Sequence, residues 1–202
     1  DQKGRRVASG FVNMLGAALQ GFTSAGYVYI GMDHFALPDD ALAVAKRQGR
    51  LHRNFQGYST QPDCDLIGLG VSSIGRMGAT YSQNAKTLDE YYDALRQGQF
   101  PTVRGLALDR DDLVRRAVIM ALMCQGAVAF ESIEIAHLVD FPSYFRAELA
   151  ALEPLAELGL VVVGDEGIDV TPLGWYFVRA VAMVFDRHLR ADQARERFSR
   201  II

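Results

Sequence analysis

Cysteine is nearly absent from the chain. Only Cys64 and Cys124 occur in 202 residues, 60 positions apart. Two thiols so separated make no disulfide framework and cannot alone form a structural zinc site, which takes about four ligands. Free thiols of this kind fit a reducing cytoplasm. An excess of either charge is also missing: 21 Lys and Arg against 24 Asp and Glu give a net charge of −3. A non-specific nucleic-acid binder would carry the basic surplus that neutralises phosphates. Long apolar runs are lacking as well. "AVIMALMC" and "WYFVRAVAMVF" are too short or too charge-interrupted to supply the roughly 20 apolar residues of a membrane span. The polar start, "DQKGRR", carries no secretory pattern. A chain that opens on Asp1 and runs straight into a helical pattern reads as part of something longer.

What is present suffices for one substantial core or two smaller ones, since 50% of the residues are hydrophobic. "RRVASGFVNMLGAALQGFTSAGY" has helical spacing and a stop at Gly26. "YVYIGM" reads as a short buried strand. "DDALAVAKRQG" reads as a short helix capped by Asp39 or Asp40 and closed by Gly49. A further strand is expected within residues 65–74. This helix–strand–helix–strand order suggests the tail of a parallel α/β unit.

The pattern changes after residue 82. "TLDEYYDALRQGQ" is an amphipathic helix. In "LDRDDLVRRAVIMALMCQG", Asp109 caps a stronger helix, Asp112 suits its first turn, and Gly126 closes it. "FESIEIAHLVD" and "SYFRAELAALEPLAELG" are further helices, the second interrupted or kinked at Pro154. "LVVVGDEGIDVTPLG" reads as strand, tight turn, strand, and "WYFVRAVAMVFDRHL" as a closing helix.

One stretch is unusual. Residues 54–78, "NFQGYSTQPDCDLIGLGVSSIGRMG", hold five glycines where a strand should be filling with side chains. From Gly70 the spacing is that of a phosphate-binding loop, but the Lys and Ser/Thr that would follow are Arg76 and Met77. Met77 cannot ligate a hard cation, so nucleotide hydrolysis loses its metal anchor. A dinucleotide fingerprint fails too, because Gly75 replaces a glycine at 73 and no helix opens there. Two readings remain open: glycines at bulges or tight internal contacts, or main chain left bare for a ligand, with Ile74 as an apolar wall.

Three nearby residues carry chemistry. Asp33 follows "YVYIGM", and a buried carboxylate at a strand end needs a partner or a role. His34 either hydrogen-bonds within the core or serves a site. Arg53 matches carboxylates bidentately, so it is a candidate for an acidic substrate group, against the alternative of a solvated surface arginine.

"YIGMDHFALPDDALAVA", "LHRNFQGYSTQ", "DLIGLGVSSIG" and the closing "FSRII" resemble the C-terminal part of the oxygen-independent coproporphyrinogen III oxidases, which are bacterial radical S-adenosylmethionine enzymes. The resemblance runs from about residue 25 to the end, with "MDHF" and "HRNFQGY" its most specific words. It implies a fold of mixed α+β and α/β character: the last segments of a (β/α)6 partial barrel in residues 1–82, then a mainly helical C-terminal domain in residues 83–202 with a winged-helix-like hairpin. The parent enzyme would be a cytoplasmic monomer. It would convert two propionates of coproporphyrinogen III to vinyl groups with release of CO2, giving protoporphyrinogen IX in haem biosynthesis. Its cofactors would be S-adenosylmethionine and a [4Fe-4S] cluster, which together generate a 5′-deoxyadenosyl radical. The resemblance puts S-adenosylmethionine contacts on Ile74, Phe55 and Gln56.

One departure matters. The family's cluster hangs on Cys-x-x-x-Cys-x-x-Cys, and neither Cys64 nor Cys124 belongs to such a motif. The fragment alone is therefore expected to be inactive and to bind neither cofactor stably. Two rivals stand beside this reading. Helix, strand, "GDEG" turn, strand and helix is also the order of a winged-helix module, although Asp165, Glu166 and Asp169 give the wing the wrong charge for phosphate. A related radical enzyme that handles haem is the other.

Overall fold

The computed structural model describes residues 2–62 and 64–189. "FSRII", along with Asp192 and Glu196 of the arginine-rich run before it, lies outside the described residues. The chain forms two compact units: residues 1–60 together with 117–202, and residues 61–116. This partition by compactness does not follow the change of sequence pattern near residue 82.

The first unit begins with helix α1 (Gln2–Ser24), which stops short of Gly26 at φ 87°. Strand β1 (Val28–Gly31) follows and pairs antiparallel with β2 (His34–Ala36), Tyr29 facing Phe35. Helix α2 (Ala41–Arg47) starts where the Asp40 carboxylate accepts the Leu42 amide at 2.8 Å, satisfying one of the free donors of a helix start. The chain then makes an antiparallel hairpin of β3 (His52–Asn54) and β4 (Gly57–Ser59).

The later part of this unit is helical around an aromatic core. Phe141, Phe145 and Phe185 are fully buried. Their rings meet at 4.7 Å for the first pair and 5.3 Å for the second, distances at which aromatic pairs add to the gain from burial. A three-stranded sheet is built from β8 (Ala127–Ala129), β9 (Val161–Val163) and β10 (Gly167–Val170), with β10 in the middle. The turn joining β9 and β10 closes with the Gly164 amide donating to the Gly167 carbonyl at 2.9 Å. Before it runs a helix, Arg146–Glu157, that continues through Pro154 for three more residues instead of breaking there. The expected closing helix is shorter than its pattern: a 3-10 turn at Gly174–Phe177, then Val178–Met183.

The second unit is a sheet with a helix across residues 88–96 and the first turns of another that begins at residue 110. Strands β5 (Ile74–Met77), β6 (Thr80–Asn84) and β7 (Thr102–Ala107) are antiparallel in that order. β7 forms an edge, and all six of its residues are exposed. At residue 110 a long helix begins with a reciprocal cap: the Asp112 amide donates to Asp109 Oδ1 at 2.9 Å and the Asp109 amide to Asp112 Oδ2 at 3.2 Å. Gly126, at φ 72°, ends that helix as its sequence foretells.

Two expectations need correction. The strand expected within residues 65–74 does not form: one isolated bridge joins Leu66 to Arg76, and the true strand begins at Ile74. Ile67 and Leu69, whose apolarity suggested burial, are exposed. The parallel pairing suggested by helix–strand alternation is also not seen, because every strand pair among the described residues is antiparallel.

The glycines explain the first correction. A Cβ on Gly68 would lie 2.8 Å from the Ile74 carbonyl carbon, and one on Gly75 would lie 3.0 Å from the Leu66 carbonyl oxygen. Segment 66–68 therefore presses its backbone against β5, held by the Leu66 and Arg76 amides, each donating to the other's carbonyl at 2.7 Å. Buried Asn84 completes the arrangement by donating to the carbonyls of Gly68 (3.1 Å) and Gly70 (2.9 Å). At Gly68 and Gly75 the internal-contact reading is the correct one.

Candidate functional site

The candidate site in the first unit is built from the β1–β2 turn and the β3–β4 hairpin. The turn passes through Gly31 (φ 155°) and Met32 (φ 57°), a left-handed conformation that a non-glycine residue rarely takes. Several bonds hold it. Tyr29 donates its hydroxyl to the Met32 carbonyl at 3.1 Å. Lys46 Nζ donates to the carbonyls of Tyr29 (2.7 Å) and Ile30 (2.9 Å), and Trp175 Nε1 also donates to Ile30 at 3.0 Å. Burial pushes the Tyr29 hydroxyl up to about 12, with Tyr176 close by adding to the effect, and pulls the Lys46 ammonium down to about 8.

This turn presents Asp33 and His34. The side chain of Asp33 is 87% exposed, so the buried carboxylate expected from its place after a strand is not there. The chain has already turned outward at Met32. Asp33 instead sits beside His34, with Oδ1 at 2.7 Å from Nδ1, an approach too oblique for a proper hydrogen bond.

Arg53 and Tyr58 face each other across the β3–β4 hairpin. The Arg53 guanidinium lies over the Tyr58 ring, its carbon 4.8 Å from the centroid. Its Nη1 is buried and meets no hydrogen-bond acceptor among the described residues. Tyr58 is fixed by donating its hydroxyl to the Met123 carbonyl at 2.8 Å, and burial raises its pKa well above the ordinary tyrosine value. His34 meets the same ring edge-on, with centroids 5.3 Å apart and planes at 88°.

Two glycines make this possible. A Cβ on Gly31 would come 2.6 Å from the Tyr58 hydroxyl, and one on Gly57 (φ 129°) would strike the His34 imidazole. His34 and Arg53 are thus gathered by one buried ring, with Asp33 exposed beside His34. Phe55 and Gln56 form the tip of the same hairpin. Phe55 is half exposed, and the Gln56 amide donates to Asn54 Oδ1 at 2.8 Å. Ile74 is half-buried in the second unit, where it pairs with Gln83 in the sheet.

Tyr58 is the site residue that sequence reasoning took for a core aromatic, which by burial it is, without giving it a part in the site. The available signal was "RNFQGY": a two-residue connection between Asn54 and Gly57 sets Arg53 opposite Tyr58. Lys46 gave no such signal, because its role depends on Trp175, which is 129 positions away.

The residues in hand do not make a cluster site. Cys64 is exposed, Cys124 is buried, and among the described residues no three His, Cys, Asp or Glu side chains converge to hold a metal ion.

Comparison with known proteins gives a consistent result. Residues 108–177 match the HemN C-terminal domain family. The chain is 49% identical over 191 residues to an oxygen-independent coproporphyrinogen III oxidase of Pseudomonas aeruginosa, an alignment covering 95% of this chain and 41% of the relative. The enzyme of the same name from Escherichia coli is 48% identical, with 89% and 39% covered, and that of Thermostichus vulcanus 44% identical, with 95% and 59% covered. The chain is similar in structure to coproporphyrinogen III oxidase (HemN) from Escherichia coli, described as a radical SAM enzyme. The TM-score is 0.83 at 46% identity, covering 88% of this chain and 41% of that one. The chain spans about two fifths of the length of the first of these relatives, and it is similar to their C-terminal part.

Proposed function

We propose that the chain is the C-terminal part of an oxygen-independent coproporphyrinogen III oxidase, with residues 1–82 continuing its catalytic barrel and residues 83–202 forming its C-terminal domain. The supporting observation is the 49% identity over 95% of the chain, together with the gathering of His34 and Arg53 at one ring, with Asp33 beside His34. The whole enzyme would convert two propionates of coproporphyrinogen III to vinyl groups in the cytoplasm, as a monomer.

Within this reading Arg53 pairs with a substrate propionate, its buried Nη1 being a desolvated donor without an acceptor among the described residues. His34 and Asp33 line the same contact. Phe55, Gln56 and Ile74 are the S-adenosylmethionine contacts. Bound S-adenosylmethionine supplies the hydrogen-abstracting chemistry, and the cluster it needs has its ligands elsewhere, since the chain holds only two cysteines. The task of these residues is binding and orientation.

The deciding experiment is anaerobic assay of the full-length protein with coproporphyrinogen III, alongside sequencing of its region upstream of Asp1. Conversion to protoporphyrinogen IX and a Cys-x-x-x-Cys-x-x-Cys motif are expected. Absence of the cysteine motif would overturn the assignment. Conversion failing with the motif intact would favour a related radical enzyme that handles haem.

A further inference from the structure

We infer that Tyr58 is the positioning residue that holds Arg53, and beside it His34, in register for a carboxylate group. This rests on the carboxylate reading of Arg53 above and extends it to a residue that touches no substrate. Arginine carries a long flexible side chain, and fixing it for bidentate pairing costs rotamer entropy on binding unless something else has already fixed it. Here the Tyr58 ring does so. The guanidinium lies on its face, and such stacking leaves the in-plane N–H donors free for an acceptor.

The ring is itself immobilised at its far end. Its hydroxyl donates to Met123, and the bare Cα of Gly31 lets that hydroxyl lie where a side chain would otherwise stand. The His34 imidazole closes on the ring edge through the space left by Gly57. Four residues of two hairpins therefore interlock around one phenol, and the guanidinium they hold keeps one buried nitrogen, Nη1, without an acceptor among the described residues.

The test separates the ring's face from its hydroxyl. In the full-length protein, binding of coproporphyrin III is followed by fluorescence titration and stability by thermal unfolding, for Arg53→Met, Arg53→Lys, Tyr58→Phe, Tyr58→Leu and the double variant Arg53→Met with Tyr58→Leu. Tyr58→Phe should lower Tm by ~4 °C through loss of a buried hydrogen bond while changing Kd less than about twofold. Tyr58→Leu and Arg53→Lys should each weaken binding about tenfold. The double variant should bind no worse than Arg53→Met alone, because Tyr58 acts through Arg53.

If Arg53→Met weakens binding but the Tyr58→Leu loss is absent, or adds fully to it, the positioning role is wrong and the arginine reading survives. If Arg53→Met binds as wild type, the arginine reading itself falls. Arg53→Lys decides the matter should Tyr58→Leu fail to fold: wild-type affinity there means that stacking of the planar group has no part in binding.

Discussion

The Lys46 ammonium lies 4.6 Å from the centroid of the Trp175 ring while donating to two consecutive carbonyls of β1. One side chain thus ties α2, β1 and the 3-10 turn near the end of the first unit. Burial lowers its pKa from 10.5 to about 8. Below pH 8 both folded and unfolded chains hold the proton, and the folded state bears the full cost of desolvating it. Between pH 8 and 10.5 the unfolded chain binds more protons than the folded one, so this residue's contribution to stability rises with pH. Lys46→Met leaves carbonyl acceptors unmet and should cost about 1–3 kcal/mol at neutral pH. Urea denaturation at several pH values should show the wild type pulling further ahead of the variant between pH 8 and 10.5. A constant gap would mean that Lys46 titrates normally.

Gly68 and β5 are in backbone contact, so Gly68→Ala forces a methyl to within 2.8 Å of a carbonyl carbon that cannot rotate away. The expected loss is about 1–3 kcal/mol, read as a lower urea midpoint. A stability unchanged by the methyl would show that segment 66–68 does not press on β5.

Ile74 sits half-buried in β5, and its proposed neighbour is S-adenosylmethionine. A carboxylate there would leave a charge without a partner in an apolar wall. In the full-length protein, Ile74→Asp should weaken S-adenosylmethionine binding by about tenfold or more by calorimetric titration, with Tm measured alongside. Undiminished affinity would remove Ile74 from the cofactor site.

The hairpin formed by β9 and β10 carries Asp165, Glu166 and Asp169 on its exposed face. A wing that tracks duplex DNA needs cations there, and its binding falls steeply with salt. Fluorescence anisotropy should detect no salt-sensitive association between the chain and duplex DNA. A strong dependence on ionic strength would restore the nucleic-acid reading.

The features legible in the sequence are those that depend on near neighbours. Asp40, the Asp109–Asp112 pair and Gly126 all mark helix ends where expected, because capping is settled within a turn. The "GDEG" turn is equally local. The β3–β4 hairpin escaped notice because its strands are three residues long, too short for period-two alternation to register. "DLIGLGVSSI" misled for the opposite reason: its apolar residues alternate with glycines chosen for backbone contact, so Ile67 and Leu69 face outward. Asp33 was placed correctly after a strand but given the wrong burial, since nothing local announces the left-handed Met32. Pro154 is carried inside its helix, near the end, where one missing donor costs little support downstream.

Among the described residues, strand β7 has one row of amides and carbonyls without a neighbour in its sheet, and along that row Val103 is 63% exposed and Leu106 42%. Arg104 is its only charged residue. Such a border is a template on which another extended segment can be laid down, hydrogen bond by hydrogen bond, with little to repel it. Left uncovered, a border of this kind is an adhesive seam whose demand for a partner grows with concentration.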